Sequence, residues 1–305
     1  MTIEHLVISG GCIWGLYEYG ILKQLHKKEF WKTEDIKSVY ATSAGAVVGA
    51  VLLLKPDFDI IDQYLVERPW HQVWKENSYH LLEAYHACGV FHKQTFYELF
   101  SPILKSIDLS VDITIQEFYD WSGVDLNIFT TELNAFEPVL VNHKTYPDWK
   151  LIDAIYASCT LPAIFAPIIK DNKCYIDGGF FNNYPLKPCF IEVEDHDTIL
   201  GICIEGILDA NNREIITEDS NIIDFTGLLM HKILKNLLFL NDNTGMIKHE
   251  IISYTGCITI GEMQKVASSK EERLCLIQMG ENDALKYYDK WVIEPNSQID
   301  QDGHM

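Results

Sequence analysis

The run Val39-Tyr40-Ala41-Thr42-Ser43-Ala44-Gly45-Ala46 leaves few ways for its neighbourhood to fold. A short β-branched and aromatic segment stops at Ser43, small residues follow at once, and the apolar run Val47–Leu54 comes next. That is the pattern of a strand, an abrupt turn and a buried helix, with Ser43 on the turn. A serine so placed is forced out of the sheet, its Oγ exposed and a helix N-terminus behind it. Small residues two places to either side, Ala41 and Gly45, let the strained backbone close. The usual G-x-S-x-G elbow has glycine at both places, so A-T-S-A-G differs by one methyl group. Alone, these five residues also describe a plain βα turn with serine as a helix cap. The rest of the chain has to decide.

His5–Ser9 reads as a short apolar strand, Gly10-Gly11-Cys12-Ile13-Trp14-Gly15 as a glycine loop, and Leu16–Lys28 as an amphipathic helix. Strand, glycine turn and helix place backbone N–H groups at a helix N-terminus, where an anion is favoured. A dinucleotide fold is the obvious competitor, but it needs G-x-G-x-x-G, and Cys12 stands at the middle glycine. Its next strand should also end in an acidic residue that holds a ribose, and this one ends at Ser43.

Composition removes other classes. A formal net charge of −20 argues against nucleic acid and against long-range attraction to an anionic membrane. Any lipid contact must then come from a local apolar or basic patch. Arginine occurs only at 68, 213 and 273, so the best phosphate ligand is scarce. The longest apolar run, Ala44–Leu54, is far short of the ~20 residues a bilayer span needs. No basic region precedes the first strand, so no signal peptide is expected. Eight scattered cysteines without C-x-x-C read as reduced core thiols, which points to an intracellular protein.

Between Lys55 and Ser122 the texture is helical, aromatic-rich and polar, with expected helices over Asp59–Val66, Trp70–Ala87, Lys93–Ile107 and Thr114–Trp121 covering one end of the sheet. Its histidines His71, His80, His86 and His92 lack metal-ligand spacing. Leu126–Thr131 and Pro138–Asn142 read as a hairpin around Asn134, and Leu151–Leu161 as a short helix stopped by Pro162. The strand Cys174–Asp177 ends in Asp177-Gly178-Gly179, which holds a carboxylate at the sheet's edge; alone it reads as a hairpin turn. Thr198–Ile204 continues the sheet, Ile222–Leu240 is a helix with a wide apolar face, Met263–Ser269 a loop, and Glu272–Lys290 the last helix. Residues 1–292 read as a single α/β domain around a central, mostly parallel sheet flanked by helices, with 55–122 as a helical cover and 293–305 as a disordered tail.

Acyl transfer needs a nucleophile, a base within reach, and donors for a developing oxyanion. Ser43, Asp177 and the glycine-loop amides supply one of each, and no histidine is set near a strand end in the order a Ser–Asp–His triad needs. These residues resemble the patatin-like phospholipase family, whose members use a Ser–Asp dyad. The likeness covers Ser9–Gly15 at the oxyanion loop, Ala41–Gly45 at the elbow, Asn127–Val141 at the central hairpin, and Ala154–Asn183 through the aspartate. The resemblance implies Ser43 as nucleophile, Asp177 as base, and Gly10, Gly11 and Cys12 as backbone oxyanion donors. Gly15, Ala41, Gly45, Gly178 and Gly179 support that motif. It implies a fatty-acyl ester lipid as substrate, with peripheral contact to a membrane or lipid aggregate, and requires neither metal nor cofactor. Cys12 and Trp14 stand where the family has a glycine and a basic residue. Two other functions fit the same residues: an altered or inactive lipid-binding member, and an acyltransferase that passes the acyl group to an alcohol.

Overall fold

The computed structural model of the chain describes residues 2–206 other than 56, together with 216–218, 225–226, 228–229, 232–233, 246–255 and 260–293. The strands are β1 (His5–Ile8), β2 (Ser38–Thr42), β3 (Gly89–Phe91), β4 (Asp125–Glu132), β5 (Glu137–Val141), β6 (Ala163–Phe165), β7 (Ile168–Lys170), β8 (Lys173–Asp177), β9 (Ile199–Gly206) and β10 (His249–Thr255). The helices are α1 (Gly15–Lys27), α2 (Ala44–Leu53), α3 (Phe58–Glu67), α4 (Trp70–Glu76), α5 (Leu81–Ala87), α6 (Gln94–Ser106), α7 (Ile115–Ser122), α8 (Leu151–Ser158), α9 (Gly179–Asn182), α10 (Leu186–Glu192), α11 (Ile260–Ser268) and α12 (Lys270–Tyr288).

Strands β10, β9, β1, β2 and β4 lie side by side and pair in parallel, so the expected central sheet is present. β5, β7 and β8 extend it antiparallel, and β3 pairs with β6 in a separate ribbon. Alternation along the inner strands gives the sheet two covered faces. Leu6 and Ile8, Val39 and Ala41, and Leu200, Ile202 and Ile204 join the large core with α1, α2 and α8. Val7, Tyr40, Ile199 and Cys203 join a smaller core with Leu186 and Cys189 of α10.

One register decides where the chemistry can be. Thr42, the last residue of β2, pairs with Phe129, while Asp177, the last residue of β8, pairs with the next residue, Thr130. β5 pairs with both Phe129 and Thr130, so it occupies the other edge of β4. β2 and β8 therefore share one edge of β4, run toward each other, and meet at their C-terminal ends.

Two expectations change, and one alternative reading falls away. Trp70–Ala87 is two helices, because Asn77 bonds back to the Val73 carbonyl through both its amide groups and Tyr79 N–H donates to Val90 O beside β3. Asn and Ser compete for backbone partners in this way and break helices. Met263–Ser269 is not a loop but most of α11; Val266 is buried and Ser269 caps α12 by accepting from Glu272 N–H. Asp177-Gly178-Gly179 does not form a hairpin turn, since α9 begins at Gly179. The helix expected over Ile222–Leu240 lies largely outside the described residues, including His231 and Lys235, as does nearly all of the 293–305 tail. No helix among the described residues is long and apolar enough to cross a membrane.

Candidate active site

Ser43 occupies the turn between β2 and α2 with φ 53° and ψ −124°, a region that residues with a Cβ rarely adopt. Such strain costs of order 1–3 kcal/mol and has to be held from outside. Ser158 at the end of α8 does part of this: its Oγ accepts from Ser43 N–H at 2.8 Å and donates to Phe129 O at 2.5 Å. Thr42 Oγ1 donates to Asn182 O at 2.5 Å, tying the end of β2 to α9. A Cβ on Gly45 would lie 2.4 Å from Ser9 O and 2.5 Å from Ile8 O, so α2 can start this close to β1 only with glycine there. Ala41 is buried in the large core, where its methyl group is accommodated.

The Ser43 hydroxyl donates to Asp177 Oδ2 at 2.7 Å, and Asp177 Oδ1 accepts from Gly179 N–H at 2.7 Å. Asp177 is 3% exposed and Ser43 7%. Burial pushes the Asp177 carboxyl up to about 6, against the two hydrogen bonds that favour the anion. Gly178 makes this packing feasible, because a Cβ there would sit 2.2 Å from Phe129 O. Neither Ser43 nor Asp177 has a histidine hydrogen-bond partner among the described residues.

The glycine loop lies beside this pair. Gly10 N–H donates to Asn183 O at 2.9 Å, and Asn183 Nδ2 donates to Gly10 O at 3.2 Å. The Gly10 amide, expected as an oxyanion donor, is therefore already engaged. The N–H groups of Gly11 and Cys12 have no acceptor among the described residues. They stand at the start of the helical turn Cys12–Trp14 that leads into α1. Cys12 has φ 51°, the left-handed conformation its Cβ disfavours, and burial pushes its thiol up to about 12. Trp14, where a basic residue is usual, packs edge-to-face on Tyr17. Gly15 brings α1 onto α2, a Cβ there lying 3.0 Å from Ala44 Cβ.

A sequence model of the family described as patatin-like phospholipase matches residues 6–190, more than half of the chain. The chain belongs to the patatin-like phospholipase family. The matched span includes the loop, the elbow and Asp177. Among curated proteins, the probable lipid hydrolase 463L of Invertebrate iridescent virus 6 is 24% identical over 185 residues, which are 60% of this chain and 62% of that protein. Triacylglycerol lipase 4 of Saccharomyces cerevisiae is 27% identical over 205 residues, 60% of this chain and 22% of the yeast protein. The chain thus spans less than two thirds of these relatives. Among solved structures, VipD from Legionella pneumophila shares the fold, with a TM-score of 0.52 at 14% identity, covering 94% of this chain and 67% of VipD.

Ser158, Asn183 and Ser9 carry no motif that assigns them a role. The visible hint for the first is a polar Ser158-Cys159-Thr160 ending an otherwise apolar helix.

Proposed function

We propose that this patatin-like chain is a lipid acyl hydrolase that cleaves fatty-acyl esters through a Ser43 acyl-enzyme, with Asp177 as base. The observation that carries the reading is the 2.7 Å bond from Ser43 Oγ to Asp177 Oδ2 at a strained strand-to-helix elbow. A free aspartate, with a pKa of ~3.9, is a weak base. Raised to about 6, Asp177 remains ionised at neutral pH and is better matched to a serine proton. Asp177 takes that proton as Ser43 attacks the acyl carbon, and returns it to the departing alcohol. The oxyanion is held by the Gly11 and Cys12 amides, aided by the N-terminal end of the helix behind them. Water, deprotonated by Asp177, then releases the fatty acid.

Lipid is reached by apolar rather than charge contact, since the net charge of −20 repels anionic surfaces. Phe136, at the tip of the β4–β5 hairpin, is 49% exposed and packs on Phe180 and Phe181 of α9, directly after Asp177. It offers an apolar rim beside the site. Buried thiols such as Cys159 and Cys189 fit a reducing, intracellular setting.

The test is turnover of a chromogenic acyl ester and of phospholipid and triacylglycerol dispersions by wild type, Ser43→Ala and Asp177→Asn. Each variant should lose at least ~10³-fold in kcat while remaining folded. Full activity in either rejects the mechanism. Adding a lysolipid or glycerol acceptor separates hydrolysis from acyl transfer.

A further inference from the structure

Glu18 is 0% exposed, and its Oε2 has no hydrogen-bond partner among the described residues. Burial holds its carboxyl well above the ordinary range, against the bond it accepts from Ser9. Its one contact of hydrogen-bond type is with Ser9, whose hydroxyl donates to Glu18 Oε1 at 2.9 Å. A buried acid with an unmet polar atom is unusual in a helix that packs on both α2 and α12, where an apolar residue would satisfy the interior better.

The Ser9 hydroxyl has a second role. It accepts from the N–H of Ile204 on β9 at 2.8 Å, while Ser9 N–H donates to Ile202 O at 3.0 Å. With the Ser9 hydroxyl donating to Glu18, a lone pair of the Ser9 oxygen is turned toward Ile204. Ile204 is the floor of the glycine loop: a Cβ on Gly11 would sit 3.4 Å from Ile204 Cγ1. Ser9 O, on the other side, lies against Gly45 at the start of α2. Ser9 thus ties β9 to the start of the elbow helix, with the Gly11 backbone lying on Ile204, and Glu18 sets the direction of its hydroxyl.

We infer that Glu18, acting through Ser9 and Ile204, is a positioning residue that fixes the Gly11 and Cys12 amides for the oxyanion. It never touches substrate. The inference rests on the hydrolase reading above. It explains why α1 keeps a polar side chain in the core: the Ser9 hydroxyl beside the loop needs an acceptor there.

The experiment uses the full chain and a dispersed short-chain p-nitrophenyl ester. Losing an oxyanion donor costs ~10²–10³ in rate, so loosening two should cost ~10-fold or more. Glu18→Met should lower kcat by that amount with KM within about twofold, at an unchanged or higher melting temperature. Glu18→Gln, which still accepts from Ser9 and is neutral, should stay within about threefold of wild type. In a Ser9→Ala background, itself slowed ~10-fold, Glu18→Met should add less than about twofold. Wild-type kcat in Glu18→Met overturns the inference, as do losses that multiply in the double variant. If Glu18→Met does not fold, Ser9→Ala decides: a kcat equal to wild type overturns the inference, and a ~10-fold fall with unchanged KM supports it. Wild-type protein without turnover on any ester removes the hydrolase reading and this inference with it, whereas active wild type beside equally active Glu18→Met removes the inference alone.

Discussion

Ser43 and Asp177, 134 positions apart in the chain, share a 2.7 Å hydrogen bond because the strands that deliver them end opposite consecutive residues of β4. Neither loop flexibility nor a bound group is needed to bring them together. Backbone pairing sets the approach, and the strained turn at Ser43 completes it.

Titration of Asp177 gives the first prediction. The base must be ionised, so kcat/KM on a soluble ester should rise with pH and level off above a midpoint near 6, as Asp177 loses its proton. A limb centred near 4, or none between pH 4 and 8, would contradict a buried catalytic aspartate.

The same burial bears on stability. The folded-state value of about 6 exceeds the unfolded 3.8, so the folded protein binds more protons between them and loses stability as pH rises through that window. Asp177→Asn removes the charge, so it should melt above wild type at pH 8, by up to ~3 kcal/mol, while catalysis is lost. The advantage should shrink toward pH 4. Thermal melts at both pH values check the sign.

At Cys12 the usual ranking of glycine and alanine should invert. With φ at 51°, alanine keeps the clash that glycine lacks, so Cys12→Gly should be more stable than Cys12→Ala by roughly 1 kcal/mol. Denaturant midpoints of the two variants test this, and a more stable alanine variant argues against a left-handed Cys12.

Positions 41 and 45 should respond oppositely to a methyl group. Gly45→Ala drives a Cβ into two backbone carbonyls of β1 and Ser9, and should cost roughly 1–3 kcal/mol or more together with most activity. Ala41→Gly removes one buried methyl group, and should cost about 1 kcal/mol with activity retained. Side-by-side melts and ester assays would show it.

Phe136 separates surface from chemistry. Phe136→Asp should reduce hydrolysis of zwitterionic phosphatidylcholine vesicles several-fold, yet leave hydrolysis of a dispersed short-chain ester within about twofold. Equal loss on both substrates would place Phe136 in the packing of the site instead.

The turn at Ser43 and the strand that stops at Asp177 show in local pattern: small residues around a turn, and a carboxylate before two glycines. Only their combination with the glycine loop and the family resemblance gave them roles. The inner strands were readable as short apolar runs. What was hidden depends on distant partners. That Gly10 N–H is taken by Asn183 and Ser43 N–H by Ser158 follows from segments more than 100 positions away. The break after Glu76 turned on one asparagine bonding backward, and α11 on the burial of Val266, neither of which shows in a hydrophobic pattern.

Because β2 and β4 are neighbours in the sheet, everything from residue 55 to 122 is a detour: the chain leaves beside one strand and returns beside the next. Its length does not enter the register that aligns Thr42 with Phe129 and Asp177 with Thr130. Doubling such an excursion alters closure entropy by only ~0.6 kcal/mol. The cover can therefore vary in length where it leaves the core, but Phe100, Leu104 and Phe118 anchor it in the large core. The shape offered to substrate can thus diverge at its outer turns while the serine and aspartate keep their spacing.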